Sequence, residues 1–373
     1  MTPTDPVDAL LARPPYAVSP TEKEALLLPL LVERIGAAAL ASAEYGHFVR
    51  HWPCPLAEAT SIDDLPLLPV ASFKREPPLQ TVPSATLLRT LTSSATTGQQ
   101  PSRIALDAGT ARRMSRSLVV ILKDFIGPER RPCGIVDAAS VNAASTALSA
   151  RGAAVRGLTP FATSMTYFCD QDAGGGLVIR NEEILNWAES QRGKPVLLYG
   201  FTFALWQALV RQRRFASLGL EQATVIHSGG WKKLWELAVS KAEFNCEVAA
   251  AVGCDPGRVI DYYGMVENVG VVYPDCPKGN KHAPVFGEVI VRDPLTMRRV
   301  GGGGSGILQV CSLLPTSFPG HALLTEDLAA VVSEDGCPCG RRGVAFRFLG
   351  RIRKAEVRGC GNIATARMLP GDI

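Results

Sequence analysis

The amino-acid sequence predicts a layered α/β fold whose last third is a β-rich subdomain. Two observations support this class: short β-prone runs alternate with helical patterns over residues 87–260, and turn-rich β patterns follow Gly264. A third is the length of 373 residues with 46% hydrophobic residues, which provides material for a large core. Strands that alternate with helices are typical of a largely parallel sheet.

Residues 1–86 are predicted to form a helical N-terminal region that packs on the main domain. Ser19-Pro20-Thr21-Glu22 is a capping box with proline at the first helical position. The apolar run at 25–32 contains Pro29, so we expect a kink or two consecutive helices there. Residues 62–74 are punctuated by proline and predict an extended strap across the surface.

The main α/β domain is predicted over residues 87–350, and residues 351–373 form a hinge and tail. The strand candidates within it are 87–91, 104–106, 134–136, 196–199, 224–226 and 258–260. The helix candidates are 108–125, 181–191, 202–214 and 232–252.

Composition excludes some classes of function. The chain has 39 basic and 35 acidic residues, and a net charge of +4 gives no reason to expect nucleic acid as a partner. No apolar run is long enough to span a bilayer, and the first residues do not look like a signal peptide. We therefore expect a cytoplasmic protein, in which the ten cysteines are metal ligands, nucleophiles or core residues rather than disulfides.

A loop rich in hydroxyl groups lies between the first two strand candidates. It reads Thr92-Ser93-Ser94-Ala95-Thr96-Thr97-Gly98-Gln99, and its backbone N–H and side-chain O–H groups could surround an anion. The alternative is an ordinary solvated turn, and the Walker lysine pattern is absent. Candidate phosphate contacts are Thr92, Ser93, Ser94, Thr96, Thr97 and Gly98.

Two later segments favour the anion-binding interpretation. Residues 261–267, Asp-Tyr-Tyr-Gly-Met-Val-Glu, place an aromatic ring, a glycine and a carboxylate directly after a strand. Residues 347–354 place Gly350 beside Arg351. Each motif alone is weak, but their order and spacing together are informative.

With these motifs the sequence resembles the adenylate-forming superfamily of acyl- and aryl-CoA synthetases. The resemblance implies ATP as cosubstrate with Mg²⁺, and an acyl-adenylate as product of the first step. It makes Tyr263-Gly264 part of the adenine motif, with stacking by Tyr263, and assigns Mg²⁺ binding to Glu267 and the ribose hydroxyls to Asp327 and Arg351. Asp327 belongs to Thr325-Glu326-Asp327, which is similar to the Thr-Gly-Asp element of that superfamily.

The resemblance is closer to the acyl-protein synthetases of bacterial bioluminescence, the long-chain-fatty-acid–luciferin-component ligases, and more distant to phenylacetate–CoA ligases. The similar segments are Leu68-Pro69-Val70 with Phe73-Lys74, the hydroxyl-rich loop, His227 to Lys232, and Arg351 to Cys360. Ala95 stands where the family usually has glycine, and Val266 where it has threonine or serine. Both departures bear on the rate of turnover.

The same resemblance implies a carboxylic-acid substrate, fatty or aryl, and an acceptor thiol. Gly229 and Gly230 would line the acyl and adenine pocket, and Lys232 would contact a carboxylate or phosphate, unless it is a solvated residue at a helix start. Trp231 and two phenylalanines could wall the pocket, although core aromatic residues have the same pattern.

The resemblance also implies the acceptor thiol, because that family transfers its acyl group to a cysteine near the C-terminus. The C-terminal domain of the family is expected to be truncated here to a short tail. Cys360 lies there between two glycines and near basic residues, which favours a reactive thiolate. It is the candidate acyl acceptor, with an inert surface thiol as the alternative. CoA or a carrier protein is the alternative acceptor, and a non-catalytic partner-binding subunit is the alternative function.

A second group of cysteines predicts a structural zinc site. Cys337 and Cys339 form a tight Cys-x-Cys element, and Cys276 and His282 precede them. Three sulfurs and one imidazole are the ligand set of a closed tetrahedral Zn²⁺ site. The alternative is a set of reduced, partly buried thiols.

Overall fold

The computed structural model describes residues 5–93, 100–142, 147–231 and 236–352, and it has the predicted mixture of helices and sheets. The helices of the described residues are α1 (Pro6–Leu10), α2 (Pro20–Ala41), α3 (Ala43–Arg50), α4 (Ala108–Ile126), α5 (Ala150–Gly157), α6 (Asn181–Gln191), α7 (Thr202–Leu205) and α8 (Lys241–Val252). None of the helices within these ranges is long and apolar enough to cross a membrane.

The described strands form three sheets. The first strands are β1 (Leu68–Pro69), β2 (Leu87–Thr92), β3 (Arg103–Asp107), β4 (Arg131–Ala138), β5 (Ala147–Ser149), β6 (Ala162–Gln171), β7 (Leu177–Ile179) and β8 (Val196–Phe201). The later ones are β9 (Ala223–Ser228), β10 (Val259–Gly264), β11 (Val272–Pro274), β12 (Lys281–His282), β13 (Gly287–Arg292), β14 (Ser305–Ser312), β15 (Ala322–Ser333) and β16 (Ala345–Arg351).

The seven-stranded sheet has the order β11-β10-β9-β8-β4-β6-β7, and its five central strands are parallel. Successive residues of β8 point to opposite faces. Leu197 packs in a cluster with residues of α4 and α5, and Leu198 packs in a second cluster with residues of α6, α7 and α8. Helices therefore cover both faces, which confirms the predicted parallel α/β layers.

The β-rich part is a six-stranded sheet. Its order is β12-β16-β15-β14-β13, all antiparallel, and β1 joins β15 in parallel. This sheet shares one hydrophobic core with the N-terminal helices: Leu27, Leu31 and Ile35 of α2 lie in the same cluster as Val289 and Leu308. The predicted domain boundaries, after residues 86 and 350, stay predictions.

Two local predictions were wrong, and one alternative of a third fails. Helix α2 runs unbroken through Pro29, so the two-helix alternative fails; tertiary packing of its buried residues outweighs the one missing hydrogen bond. The helix expected over 232–252 begins at Lys241, because Ser240 caps it by accepting from the Glu243 N–H. The strap at 62–74 is mostly short 3₁₀ turns rather than extended chain, apart from β1.

The helix expected over 202–214 is also different. It starts at Thr202 as an α-helix but continues as a π-helix over Trp206–Arg211. Such wide turns occur often at functional sites.

A third, smaller sheet has the order β3-β2-β5. Strands β2 and β3 are antiparallel and bracket the hydroxyl-rich loop, as the sequence predicts. The fold therefore places that loop at the end of a hairpin.

Candidate functional site

The candidate site lies at the carboxyl edge of the parallel sheet. Strands β8, β9 and β10 run parallel and end at Phe201, Ser228 and Gly264, so the residues that follow them meet at one edge. Ligands of open α/β sheets bind in the crevice outside the carboxyl ends of strands. Two of the sequence motifs, at Gly229-Gly230 and Tyr263–Glu267, follow β9 and β10 there.

The hydroxyl-rich loop begins and ends in a hydrogen-bonded pair. The Ser93 N–H donates to the Ser102 carbonyl at 3.0 Å, and the Ser102 N–H donates to Ser93 Oγ at 2.8 Å. Thr92 is the last residue of β2 and pairs with Arg103. The other candidate contacts lie outside the described residues, namely Ser94, Thr96, Thr97 and Gly98.

Glu267 is a buried carboxyl close to the end of that loop. It lies in the short 3₁₀ turn after β10, and its side chain is only 6% exposed. Burial raises the pKa of Glu267, against smaller lowering contributions from the Ser102 hydroxyl and from the charges of Arg351 and Lys74. A bound cation would stabilise the ionised form, and carboxylate oxygen is the ligand type that Mg²⁺ prefers.

Tyr263 and Asp327 form the best-defined contact of the site. The Tyr263 hydroxyl donates to Asp327 Oδ2 at 2.7 Å, across two different sheets. Arg351 is the cross-strand partner of Asp327, and its Nε lies 3.5 Å from Asp327 Oδ1. Burial raises the pKa of Asp327, while the tyrosine hydroxyl and Arg351 lower it. The structure thus brings three of the predicted nucleotide contacts together.

The ring of Tyr263 has an aromatic neighbour that the sequence analysis missed. Phe348 stacks on Tyr263 with 4.7 Å between ring centroids and 23° between ring planes. Tyr273, its cross-strand partner, lies at 5.9 Å. Phe348 is 38% exposed. In the sequence it precedes Arg351 by three residues, and this aromatic residue next to the Gly-Arg motif could have indicated a second ring at the site. Gly264 is exposed beside this ring cluster.

Gly229 and Gly230 form an open turn after β9. Gly229 has a φ of 76°, in the left-handed region that favours glycine, and a Cβ at Gly230 would meet no atom within 4 Å. Thr202 Oγ donates to the Gly229 carbonyl at 2.8 Å, which fixes the turn against the start of α7. Half-buried Phe201 and Trp231 flank the turn.

A buried charge network under the same edge was also missed. Lys281 Nζ lies 2.8 Å from Asp261 Oδ2 and 3.1 Å from Asp275 Oδ1. His227 Nδ1 lies 3.0 Å from Thr202 Oγ and 3.8 Å from Asp261 Oδ1. Burial lowers the pKa of His227 to about 4, so the imidazole is neutral at neutral pH. Only folding brings these scattered residues together.

The four predicted zinc ligands converge. The ligand atoms of Cys276, His282, Cys337 and Cys339 all lie within 4.8 Å of one another, and His282 Nε2 is 3.3 Å from Cys339 Sγ. The Asn280 amide donates to Cys337 Sγ at 3.6 Å. Burial lowers the pKa of His282 to about 4, which leaves the neutral imidazole that binds a metal.

Burial also raises the pKa of Cys276 to about 11. For Cys337, hydrogen bonds from the Cys339 N–H and from Asn280 outweigh burial and lower the pKa. None of the described cysteines forms a disulfide. Of the six other described cysteines, Cys133, Cys169 and Cys311 are buried, Cys54 and Cys254 are half-buried, and Cys246 is exposed.

Besides the four residues of the hydroxyl-rich loop, two more predicted site residues cannot be placed. Lys232 and Cys360 both lie outside the described residues.

Comparison with known protein families gives a match over nearly the whole chain. Residues 2–368 match the family described as acyl-protein synthetase, LuxE. Among curated proteins, the long-chain-fatty-acid–luciferin-component ligase of Vibrio harveyi is 26% identical over 176 residues, which is 46% of this chain and 44% of that protein. The ligase of the same description from Aliivibrio fischeri is 24% identical over 171 residues, again 44% of its length. The matches therefore span less than half of these relatives.

Solved structures share the fold. A 2-hydroxyisobutyryl-CoA ligase in an open conformation, in complex with 2-HIB-AMP and CoA, superposes with a TM-score of 0.70 at 18% identity. The match covers 91% of this chain and 77% of that one. At this identity the likeness establishes the fold alone.

Proposed function

The chain belongs to the acyl-protein synthetase family LuxE, and on that basis we propose that it activates a carboxylic acid with ATP and passes the acyl group to a thiol. In the first step a carboxylate oxygen attacks the α-phosphorus, which gives an acyl-adenylate and releases pyrophosphate. In the second step a thiolate attacks the acyl carbon and AMP leaves.

One observation carries this proposal: the Tyr263 hydroxyl, the Asp327 carboxylate and Arg351 are in contact at the carboxyl edge of the sheet. A hydrogen-bond acceptor beside a guanidinium is suited to the two hydroxyls of a ribose. The exposed Gly264 and the aromatic rings of Tyr263 and Phe348 provide a flat surface for a base. Because Phe348 covers part of the Tyr263 ring, we expect adenine to stack on both rings rather than on Tyr263 alone.

The phosphates would lie at the hydroxyl-rich loop, with Mg²⁺ on Glu267. Thr92 and Ser93 stand at the start of that loop, and the Glu267 carboxyl lies beside Ser102 at its end. Catalysis of phosphoryl and adenylyl transfer relies on positioning and charge rather than on covalent groups of the protein. The acid would enter over Gly229 and Gly230, between Phe201 and Trp231.

The acceptor of the acyl group is proposed to be Cys360, followed by transfer to a partner protein. CoA and a carrier-protein thiol are the alternatives. A Cys360→Ser variant that still transfers the acyl group to CoA at the wild-type rate would contradict the acyl-enzyme step, whereas loss of a labelled acyl-protein band would support it.

Pyrophosphate exchange with a panel of fatty and aryl acids tests the adenylation step and identifies the acid. We expect exchange with at least one acid, and its loss in Asp327→Asn, because the ribose would lose its charged acceptor. Absence of exchange with every acid, despite ATP binding, would favour the second candidate function: a non-catalytic partner-binding subunit that retains the pocket. Val266, which provides no hydroxyl where the family has one, motivates that alternative.

We further propose a structural zinc ion on Cys276, His282, Cys337 and Cys339. The number and type of ligand atoms and their mutual distances support it. All four positions would be filled by the protein, so the ion would join the β11–β12 connection to the turn before β16 without a site for water. The cytoplasmic location stays a prediction from the sequence.

A further inference from the structure

Lys74 is a cation beside the nucleotide site that the proposed function does not use. It follows β1, whose parallel pairing with β15 joins Leu68 to Leu323. This pairing brings Lys74 to the strand that carries Asp327. Its Nζ lies 2.8 Å from Oε2 of Glu326, the residue directly before Asp327.

The backbone at Lys74 is held in place by its neighbour. Phe73 is fully buried and packs edge-to-face against Phe318, with 5.7 Å between ring centroids. The side chains of Lys74 and Glu326 are 19% and 22% exposed. A partly exposed pair of this kind contributes little stability, so exchange of one anionic partner for another costs little.

The hydroxyl-rich loop itself contains no positively charged side chain. Between Arg89 and Arg103 the sequence contains no lysine or arginine. Hydroxyl and N–H groups can bind phosphate oxygens, but they carry no full charge. Two cations, Arg351 and Lys74, lower the pKa of Glu267. Arg351 already lies beside Asp327 at the proposed ribose position. Lys74 is therefore the cation that the proposed contacts leave over. Lys232 lies outside the described residues.

We propose that Lys74 Nζ binds the polyphosphate of the nucleotide, and that the Glu326 carboxylate competes with it for this lysine. The inference rests on the proposed function and adds a ligand contact to it. Glu326 stands at the position of the glycine in the Thr-Gly-Asp element, so the competing carboxylate is particular to chains with an acidic residue there. A charge-assisted bond from ammonium to phosphate is stronger than one between neutral groups.

Two variants separate this contact from a purely structural ion pair. Lys74→Met and Glu326→Gln both break the pair, which contributes little stability, so both should change the melting temperature only slightly and to the same extent. Calorimetric titration with a non-hydrolysable ATP analogue and Mg²⁺ should show opposite effects. We expect roughly 10- to 100-fold weaker binding for Lys74→Met, from the loss of a charged hydrogen bond, and tighter binding for Glu326→Gln. Adenosine affinity should stay unchanged in both.

Arg75→Met is the matched control, because Arg75 is the next residue, carries the same charge and pairs with the exposed Glu44. It should bind the analogue as the wild type does. Equal weakening by Lys74→Met and Glu326→Gln, or wild-type affinity in Lys74→Met, would overturn the inference and leave the proposed function intact. A wild-type protein that binds neither adenosine nor the analogue would contradict both.

Discussion

Glu267 is a carboxyl whose function depends on its charge state. Burial raises its pKa above the usual value near 4.5, so the ionised form that a metal requires is costly until a cation arrives. Besides its own backbone N–H, the groups that lower the pKa are Ser102, Arg351 and Lys74, which come from different parts of the chain. The charge state of this residue is therefore a product of the fold.

Replacement of Glu267 by glutamine should abolish most adenylation. Gln keeps the shape but loses the charge that would hold Mg²⁺, and we expect pyrophosphate exchange to fall by about 100-fold or more, in the range of lost electrostatic stabilisation. Because the pKa is raised, Mg²⁺ affinity of the wild type should weaken as pH falls, starting above pH 4.5. Mg²⁺ titrations at several pH values measure this, and an unchanged affinity in Glu267→Gln would contradict the assignment.

At the scale of elements, the start of α7 supports the glycine turn after β9. Thr202 Oγ donates to the Gly229 carbonyl at 2.8 Å and lies 3.0 Å from His227 Nδ1 of β9. One hydroxyl therefore connects the start of α7 to β9 and to the turn.

Thr202→Val should disturb this turn while keeping the side-chain volume. Loss of one hydrogen bond to a carbonyl is worth about 1 kcal/mol, so we expect the KM for the acid to rise roughly three- to tenfold. The KM for ATP should rise less than the KM for the acid, since the predicted phosphate and ribose contacts of ATP lie on other elements. Thr202→Ser keeps the hydroxyl and should restore the wild-type value; equal effects of valine and serine would contradict the role of the hydroxyl.

The proposed zinc site of the Cys/His cluster, near β12 and β16, can be tested by zinc content and by stability. If zinc is bound, the purified protein should contain about one equivalent by mass spectrometry, and Cys339→Ser should lose it. Chelation should lower the melting temperature, because metal binding energy is folding energy in such sites. Cys246→Ser is the control, since Cys246 is exposed and distant in sequence from the cluster. Wild-type protein without zinc after growth in zinc would rule the site out.

At the scale of the whole molecule, the N-terminal helices and the β-rich sheet are joined by buried charge as well as by a shared core. Lys23 of α2 lies 3.1 Å from Glu288 of β13, and both side chains are less than 10% exposed. Removal of one partner would leave an unpaired buried charge, which is strongly destabilising. These two parts therefore depend on each other for stability.

Global stability should fall between pH 6.5 and pH 4. Burial lowers the pKa of His227 and of His321 to about 4, below the value of 6.5 expected in the unfolded chain. The unfolded state binds more protons in this window, so the stabilisation is complete above pH 6.5 and is lost as pH falls. Each histidine can account for up to about 3 kcal/mol.

Urea denaturation at a series of pH values measures this dependence. His321→Gln should flatten it, whereas His47→Gln should not, because His47 is exposed on α3. Identical pH dependence in the wild type and in His321→Gln would contradict the assignment.

Much of the site follows from the sequence because its motifs are short and local. Tyr263, Gly264 and Glu267 lie within five residues, and the hairpin around the hydroxyl-rich loop needs only two adjacent strands. Alternation of strands and helices likewise determines the parallel layers, since each crossover connects neighbours in sequence.

Contacts between distant segments were decided only by the tertiary structure. Phe348 on Tyr263, Lys74 on Glu326 and Lys281 between Asp261 and Asp275 join residues whose own neighbours give no sign of the partner. The sequence by itself determined which groups could bind ATP, and its cysteine spacing identified four residues that do converge. Which charges meet, and which carboxyls have raised pKa values, depends on burial and on sheet pairing, because both arise only when the whole chain packs.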